Sequence, residues 1–275
     1  MTPRRGRLRP TAYGVGFGLL ALVLGLFLGL PIVALLGRAA LGGELASALG
    51  SPAVREALVL SLVTSAASLV LTVILGTPLA FLLARGRIRA GAMVEALVDL
   101  PVVLPPSVAG LALLLLLGRR GPLGAPLDAL GIDLPFTTAA VVLAQLFVAA
   151  PLYVRAARSG FTGVDRDLED AARVDGAAER QVLRHVTVPL AAAGLSAGLV
   201  MAWARALGEF GATILFAGNV EGVTQTLPLA VYSEFQSSLD RSVAAAAILV
   251  LAAIAVLLAV RVLHWRTIGE MRSLE

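Results

Sequence analysis

The sequence predicts an all-α membrane protein with six transmembrane helices per chain, and three observations carry that prediction. Hydrophobic residues fill 58% of the 275 positions and charged residues only 15%, with a mean hydropathy of +0.90. Soluble domains lie nearer half apolar and a quarter charged, so this chain is solvated largely by lipid. The apolar residues also arrive in blocks: the uncharged runs 10–37 and 57–84 each exceed the ~20 residues that span a hydrocarbon core. Arginines flank these blocks, which is a topology signal.

The first span is expected near 13–37, behind Arg4, Arg5, Arg7 and Arg9. Its apolar run is well beyond the ~7–15 residues of a signal-peptide core, so an uncleaved anchor is expected. The second span, near 58–84, is uncharged throughout. The third, near 97–118, opens with Pro101, Val102, Val103, Leu104, Pro105, Pro106 and Ser107. Three prolines so close together free backbone groups that a regular helix would pair. Such backbone survives at depth only where protein or a water-filled cavity covers it. The segment is therefore either a broken, pore-bordering stretch with Val102, Val103 and Leu104 as a hydrophobic gate, or an interfacial turn before a helix starting near Val108.

The fourth span is expected near 134–157, the fifth near 189–216 and the sixth near 242–263. Within the fifth, Arg205 and Glu209 stand four residues apart, a spacing that lets them pair on one helix face. Intramembrane charges are costly and usually face a cavity or a partner. The pair either lines a translocation path or forms a structural brace.

With both termini cytoplasmic, sixteen arginines fall on inside segments, five (Arg38, Arg55, Arg119, Arg120, Arg241) fall outside, and Arg205 lies within a span. That bias favours this orientation. No linker or internal repeat divides the chain, which is read as one transmembrane domain, 1–275.

Composition excludes several functions. Cysteine is absent, removing disulfides, thiolate metal sites and cysteine nucleophiles. His185 and His264 are too far apart for a local metal motif, and no metal site is expected. All 22 basic residues are arginine, so no Walker-A lysine exists and any ATP must be bound by another chain. No catalytic residue is expected: there is no paired intramembrane aspartate and no Ser–His pair within a span. The formal charge of +4 follows topology and implies no nucleic-acid partner.

The stretch between spans four and five, about 158–189, carries five arginines and six carboxylates and is plainly aqueous. Asp165 and Asp167 suit a helix start. A short helix is expected over 168–174, a turn at Gly176, and a second helix over 177–186 that ends before Pro189. Ala171, Ala172 and Gly176 would let a partner approach the backbone closely; the plain alternative is a solvated loop joining two spans.

This stretch resembles the cytoplasmic loop signature of the permease subunits of ATP-binding-cassette (ABC) importers, Glu-Ala-Ala-x3-Gly-x9-Ile-x-Leu-Pro. Asp170, Ala171 and Ala172 are followed at the same spacing by Gly176 and then by Val186, Val188 and Pro189, with Asp, Val and Val replacing Glu, Ile and Leu. The resemblance implies that these seven residues couple the chain to an ATPase. The stretch Arg205–Asn219, the run Thr224–Tyr232, the run Leu104–Gly110 and the segment Gly118–Gly124 look like the molybdate permease branch. Sulfate and thiosulfate permeases share the Gly208-Glu209-Phe210-Gly211 core, and tungstate is nearly isosteric with molybdate.

The resemblance thus implies a homodimer in the bacterial inner membrane with two cytoplasmic ABC ATPase subunits and an extracytoplasmic oxyanion-binding protein. The expected function is import of molybdate, or tungstate, by alternating access, with no cofactor in this chain and ATP and Mg held by the partner ATPase. The alternatives are a sulfate or thiosulfate permease and a secondary-active anion transporter. The latter would place more ionisable groups in the spans than Arg205 and Glu209.

Overall fold

The computed structural model describes residues 12–272, with side chains over residues 16–259. Arg4, Arg5, Arg7, Arg9 and the side chains of Arg261, His264, Arg266 and Arg272 lie outside the described residues. Among those described, the chain is helical and has no strand. Four helices are long and apolar enough to cross a bilayer, or six if each of two bent pairs counts as one crossing.

Helix α1 (Ala12–Leu41) packs mainly on α2 (Glu44–Gly50) and the last helix, leaving side chains such as Phe17 and Phe27 exposed. Helix α3 (Pro52–Ala84) starts with Pro52 at its first position, where a missing N–H costs nothing. Its buried face is a stripe of Ser61, Ser65, Ser68 and Thr72, small enough for close helix contact.

Helices α4 (Gly91–Val103) and α5 (Pro106–Leu117) form the first bent pair, turning by 116°. The third span is therefore not one straight crossing. Leu104 and Pro105 are both extended, as residues preceding proline tend to be, and Pro106 opens α5 while Pro101 is absorbed within α4. At twelve residues, α5 is about 18 Å long. A six-residue helix, α6 (Gly124–Ala129), follows in the loop.

Helix α7 (Thr138–Thr162) is the axis of the fold, packed against α3, α5 and the helix that follows the aqueous loop. The Thr137 hydroxyl caps it, accepting from the Ala140 N–H. Next come α8 (Arg166–Val174), α9 (Glu179–Val182), a widened π-turn (Leu183–Thr187), α10 (Val188–Leu190) and α11 (Ala192–Leu207). Two expectations need correction here. The second loop helix does not stop before Pro189 but continues through a π-turn and past the proline to Leu190. The fifth span does not run unbroken over 189–216: it bends by 69° near Ala191 and ends at Leu207. A separate helix, α12 (Gly211–Phe216), precedes α13 (Leu227–Phe235) and α14 (Leu239–Arg272).

Three apolar clusters result. One joins α3, α7 and α11 around Tyr153 and Phe161. A second joins α5, α7 and α12 around Phe216. A third joins α2, α3, α13 and α14 around Leu227. Helices α7 and α11 meet at Gly160 and Gly194, where a Cβ built on Gly194 would fall 2.6 Å from the Gly160 Cα. Only glycine permits that approach.

Candidate functional site

The aqueous segment between α7 and α11 is a compact elbow. Asp165 caps α8 by accepting from the Asp167 N–H at 3.0 Å. Gly176 then takes φ +91°, a left-handed conformation that favours glycine, and so reverses the chain. The Gln181 side chain accepts from the Ala178 N–H and opens α9. Arg173 ties the two arms across the turn, with Nη1 2.6 Å from Asp170 and Nε 2.6 Å from Glu179. The hydrogen bonds it donates, to Glu179 first and Asp170 second, hold its pKa above the ordinary arginine value.

The seven motif residues divide into two groups. Asp170, Ala171 and Gly176 are exposed and Ala172 is half-buried, beside Leu168 and Val174, whose side chains also face outward; Val174 is 87% exposed. Val186, Val188 and Pro189 are half-buried, and Val188 packs on the α3–α7–α11 cluster. The first group offers an exposed knob, and Val188 of the second anchors it.

A residue that sequence reasoning passed over holds the elbow in place. Glu169, five per cent exposed, pairs with Arg85 at the end of α3 and accepts from the Thr187 hydroxyl at 2.5 Å. Arg85 also lies over the Phe81 ring, 5.5 Å from its centroid, and Phe81 meets Phe161 edge to face. Glu169 stands four residues before Arg173, so sequence spacing points to a local surface pair. Arg173 turns to Asp170 and Glu179 instead, and the true partner is 84 positions away.

The two groups of candidate pore residues, distant in sequence, are brought together. A Cβ on Gly211 would fall 2.8 Å from the Pro106 Cβ and 3.2 Å from the Ser107 N. Val102 and Val103 are 44% and 82% exposed, Pro105, Pro106 and Ser107 are exposed, and Pro101 and Leu104 half-buried. Arg205 and Glu209 do pair, with Nη1 2.5 Å from Oε2, although Glu209 lies beyond the end of α11. Glu209 is one per cent exposed, and its other oxygen accepts from the Ala212 N–H at 2.7 Å, fixing the start of α12. Arg205 is about one-third exposed. On the same side as the elbow, Arg155 and Arg158 of α7 pair with Asp99 and Glu95 of α4, at 2.7 and 2.8 Å. Those pairs tie α4 to α7.

Comparison with known proteins gives a consistent picture. Residues 76–268 match the family model described as "Binding-protein-dependent transport system inner membrane component". The chain is similar to the molybdenum transport system permease protein ModB of Mycobacterium tuberculosis, 46% identical over 210 residues, covering 76% of this chain and 80% of that one. It is similar to ModB of Escherichia coli at 42% over 183 residues, covering 66% and 80%. Among solved structures, a chain of a bacterial ABC transporter that imports alginate superposes with a TM-score of 0.67 at 18% identity, covering 92% of this chain and 96% of that one. That last likeness concerns the fold.

Proposed function

The chain belongs to the family of binding-protein-dependent transport system inner membrane components, and on that premise we propose that it forms the translocation path of an importer carrying molybdate into the cytoplasm. It is a multi-pass membrane transport component, and ATP hydrolysis is done by a separate ATPase subunit. The substrate reading rests on its likeness to molybdenum permeases over three quarters of its length. Tungstate, nearly isosteric, is expected to share the path.

The observation that carries the mechanism is the elbow. Asp170, Ala171 and Gly176, with half-buried Ala172, form a knob on a turn that only glycine closes without strain, and Val188 roots it in the α3–α7–α11 cluster. Such a knob suits a cleft on an ATPase subunit in the cytoplasm, with both termini on that side. ATP-driven closure of two ATPases would then draw two elbows together and alternate the access of a path between two copies of this chain. An extracytoplasmic binding protein would deliver the oxyanion.

Two copies are favoured because the candidate gate lies on the surface of one. Val102 and Val103 are exposed on the lone chain, next to the α5–α12 junction that Glu209 fixes. Pro101, Leu104, Pro105, Pro106 and Ser107 shape that edge. Arg205 would offer a cationic point on the path, moderated by Glu209.

The test is radiolabelled molybdate uptake in proteoliposomes holding this chain, its ATPase and its binding protein, with tungstate and sulfate competitors. ATP-dependent uptake blocked by tungstate is expected. Equal competition by sulfate would assign the chain to the sulfate branch, and uptake without the ATPase would point to a secondary transporter. Gly176→Trp, which places a bulky ring on the knob, is expected to abolish ATPase association.

A further inference from the structure

The strongest feature the proposed function leaves unused is the buried trio Arg85, Glu169 and Thr187. The Arg85 and Glu169 side chains are 8% and 6% exposed, and Thr187 is 2% exposed. Removing two charges from water carries a desolvation penalty, so a hydrophobic contact would serve mere adhesion as well or better. A buried charged pair does something a greasy contact does not: it fixes one geometry, because any slip strands a charge.

The trio joins three elements that are separate in sequence. Arg85 ends α3, Glu169 lies on α8, and Thr187 closes the π-turn that leads into α11. The grip extends through Phe81 to Phe161 at the end of α7. Helix α3 is then pinned again farther along. Ser65 accepts from the Trp203 indole N–H of α11 at 3.0 Å, and Ser61 accepts from the Leu227 N–H at the start of α13 at 2.7 Å. From Arg85 to Ser61 the helix rises about 36 Å, nearly the depth of a bilayer.

We infer that Arg85, Glu169 and Thr187 are positioning residues that lock the elbow to α3, so that a displacement of the elbow moves α3 as one rod and reaches α13 on the far side. This inference rests on the elbow being the ATPase-docking element. Without the lock the elbow would still bind an ATPase but would swing on its own turn, and hydrolysis would proceed without moving the path.

The experiment uses the complete complex in proteoliposomes, with three readouts: recovery of intact complex, ATP hydrolysis, and molybdate taken up per ATP hydrolysed. Glu169→Gln and Arg85→Met are expected to keep the complex and its hydrolysis while uptake per ATP falls about five-fold or more. Thr187→Val is expected to give a smaller drop in the same ratio. Exchanging the charges with Arg85→Glu and Glu169→Arg together is expected to recover part of the ratio lost in the single variants.

An unchanged ratio in both single variants overturns the inference. So does loss of intact complex that the exchanged pair does not restore, since the trio would then serve folding alone. Gly176→Trp, run in parallel, separates this from the underlying reading. If it leaves assembly and uptake intact, the docking role of the elbow fails; if it abolishes assembly while Glu169→Gln leaves the ratio unchanged, only the lock fails.

Discussion

Gly160 and Gly194 hold α7 and α11 closer than any side chain would allow: a Cβ on Gly194 would lie 2.6 Å from the Gly160 Cα and 2.9 Å from the Ala156 carbonyl oxygen. In lipid, where no hydrophobic effect drives helices together, such backbone contact is a main source of association. Gly194→Leu is expected to destabilise the chain by about 1–3 kcal/mol, seen as a lower thermal midpoint in detergent. Gly50→Ala, where a Cβ meets nothing within 4 Å, should leave that midpoint unchanged.

The absence of cysteine makes the orientation directly measurable. Asp175→Cys beside the elbow turn and Arg120→Cys in the α5–α6 loop are both exposed sites. A membrane-impermeant maleimide applied to intact cells is expected to label the second and spare the first. Labelling of the first alone would invert the topology and end the docking proposal.

Arg205 and Glu209 should be strongly coupled. Truncating the arginine leaves a buried carboxylate unpaired, so Arg205→Met is expected to cost about 2 kcal/mol, less than a fully buried pair because the guanidinium is partly exposed. Adding Glu209→Gln should recover part of the loss, because glutamine can still accept from the Ala212 N–H. Thermal melting of the two singles and the double closes the cycle; additive losses would exclude the coupling.

Tyr153, two per cent exposed, sits between α3 and α11 with its hydroxyl 2.7 Å from the Thr77 Oγ1. Tyr153→Phe is expected to cost about 1 kcal/mol. Tyr153→Ala is expected to cost about 4 kcal/mol, since it empties a site packed from two helices. Unfolding midpoints of the purified chain would separate the two.

Helix existence was legible wherever one local cue decided it. The second and fourth spans, expected near 58–84 and 134–157, are observed as Pro52–Ala84 and Thr138–Thr162. The Asp165 cap and the Gly176 turn also fall where their chemistry requires. What hydropathy misses is direction. It treats Pro101–Leu117 as one apolar run, whereas the extended Leu104 and Pro105 turn that run by 116°. Nor could it end α11 at Leu207, since 208–210 is no less apolar than an ordinary span except for Glu209. The burial of Glu169 depends on Arg85, and no short-range pattern signals a partner on another helix. The knob and its Val188 anchor were readable, and the buried pair that holds them to α3 was not.

The π-turn at Leu183–Thr187 has a consequence for how this segment can change length. It holds one more residue than an α-helical turn of the same rise, so deleting one residue there would restore regular α-helix without altering the rotational phase of the flanking turns. That deletion would, however, bring the Pro189 ring back against the carbonyl four positions before it. Proline and surplus residue form a matched set, and a shortened chain should fold well only when the proline leaves with it.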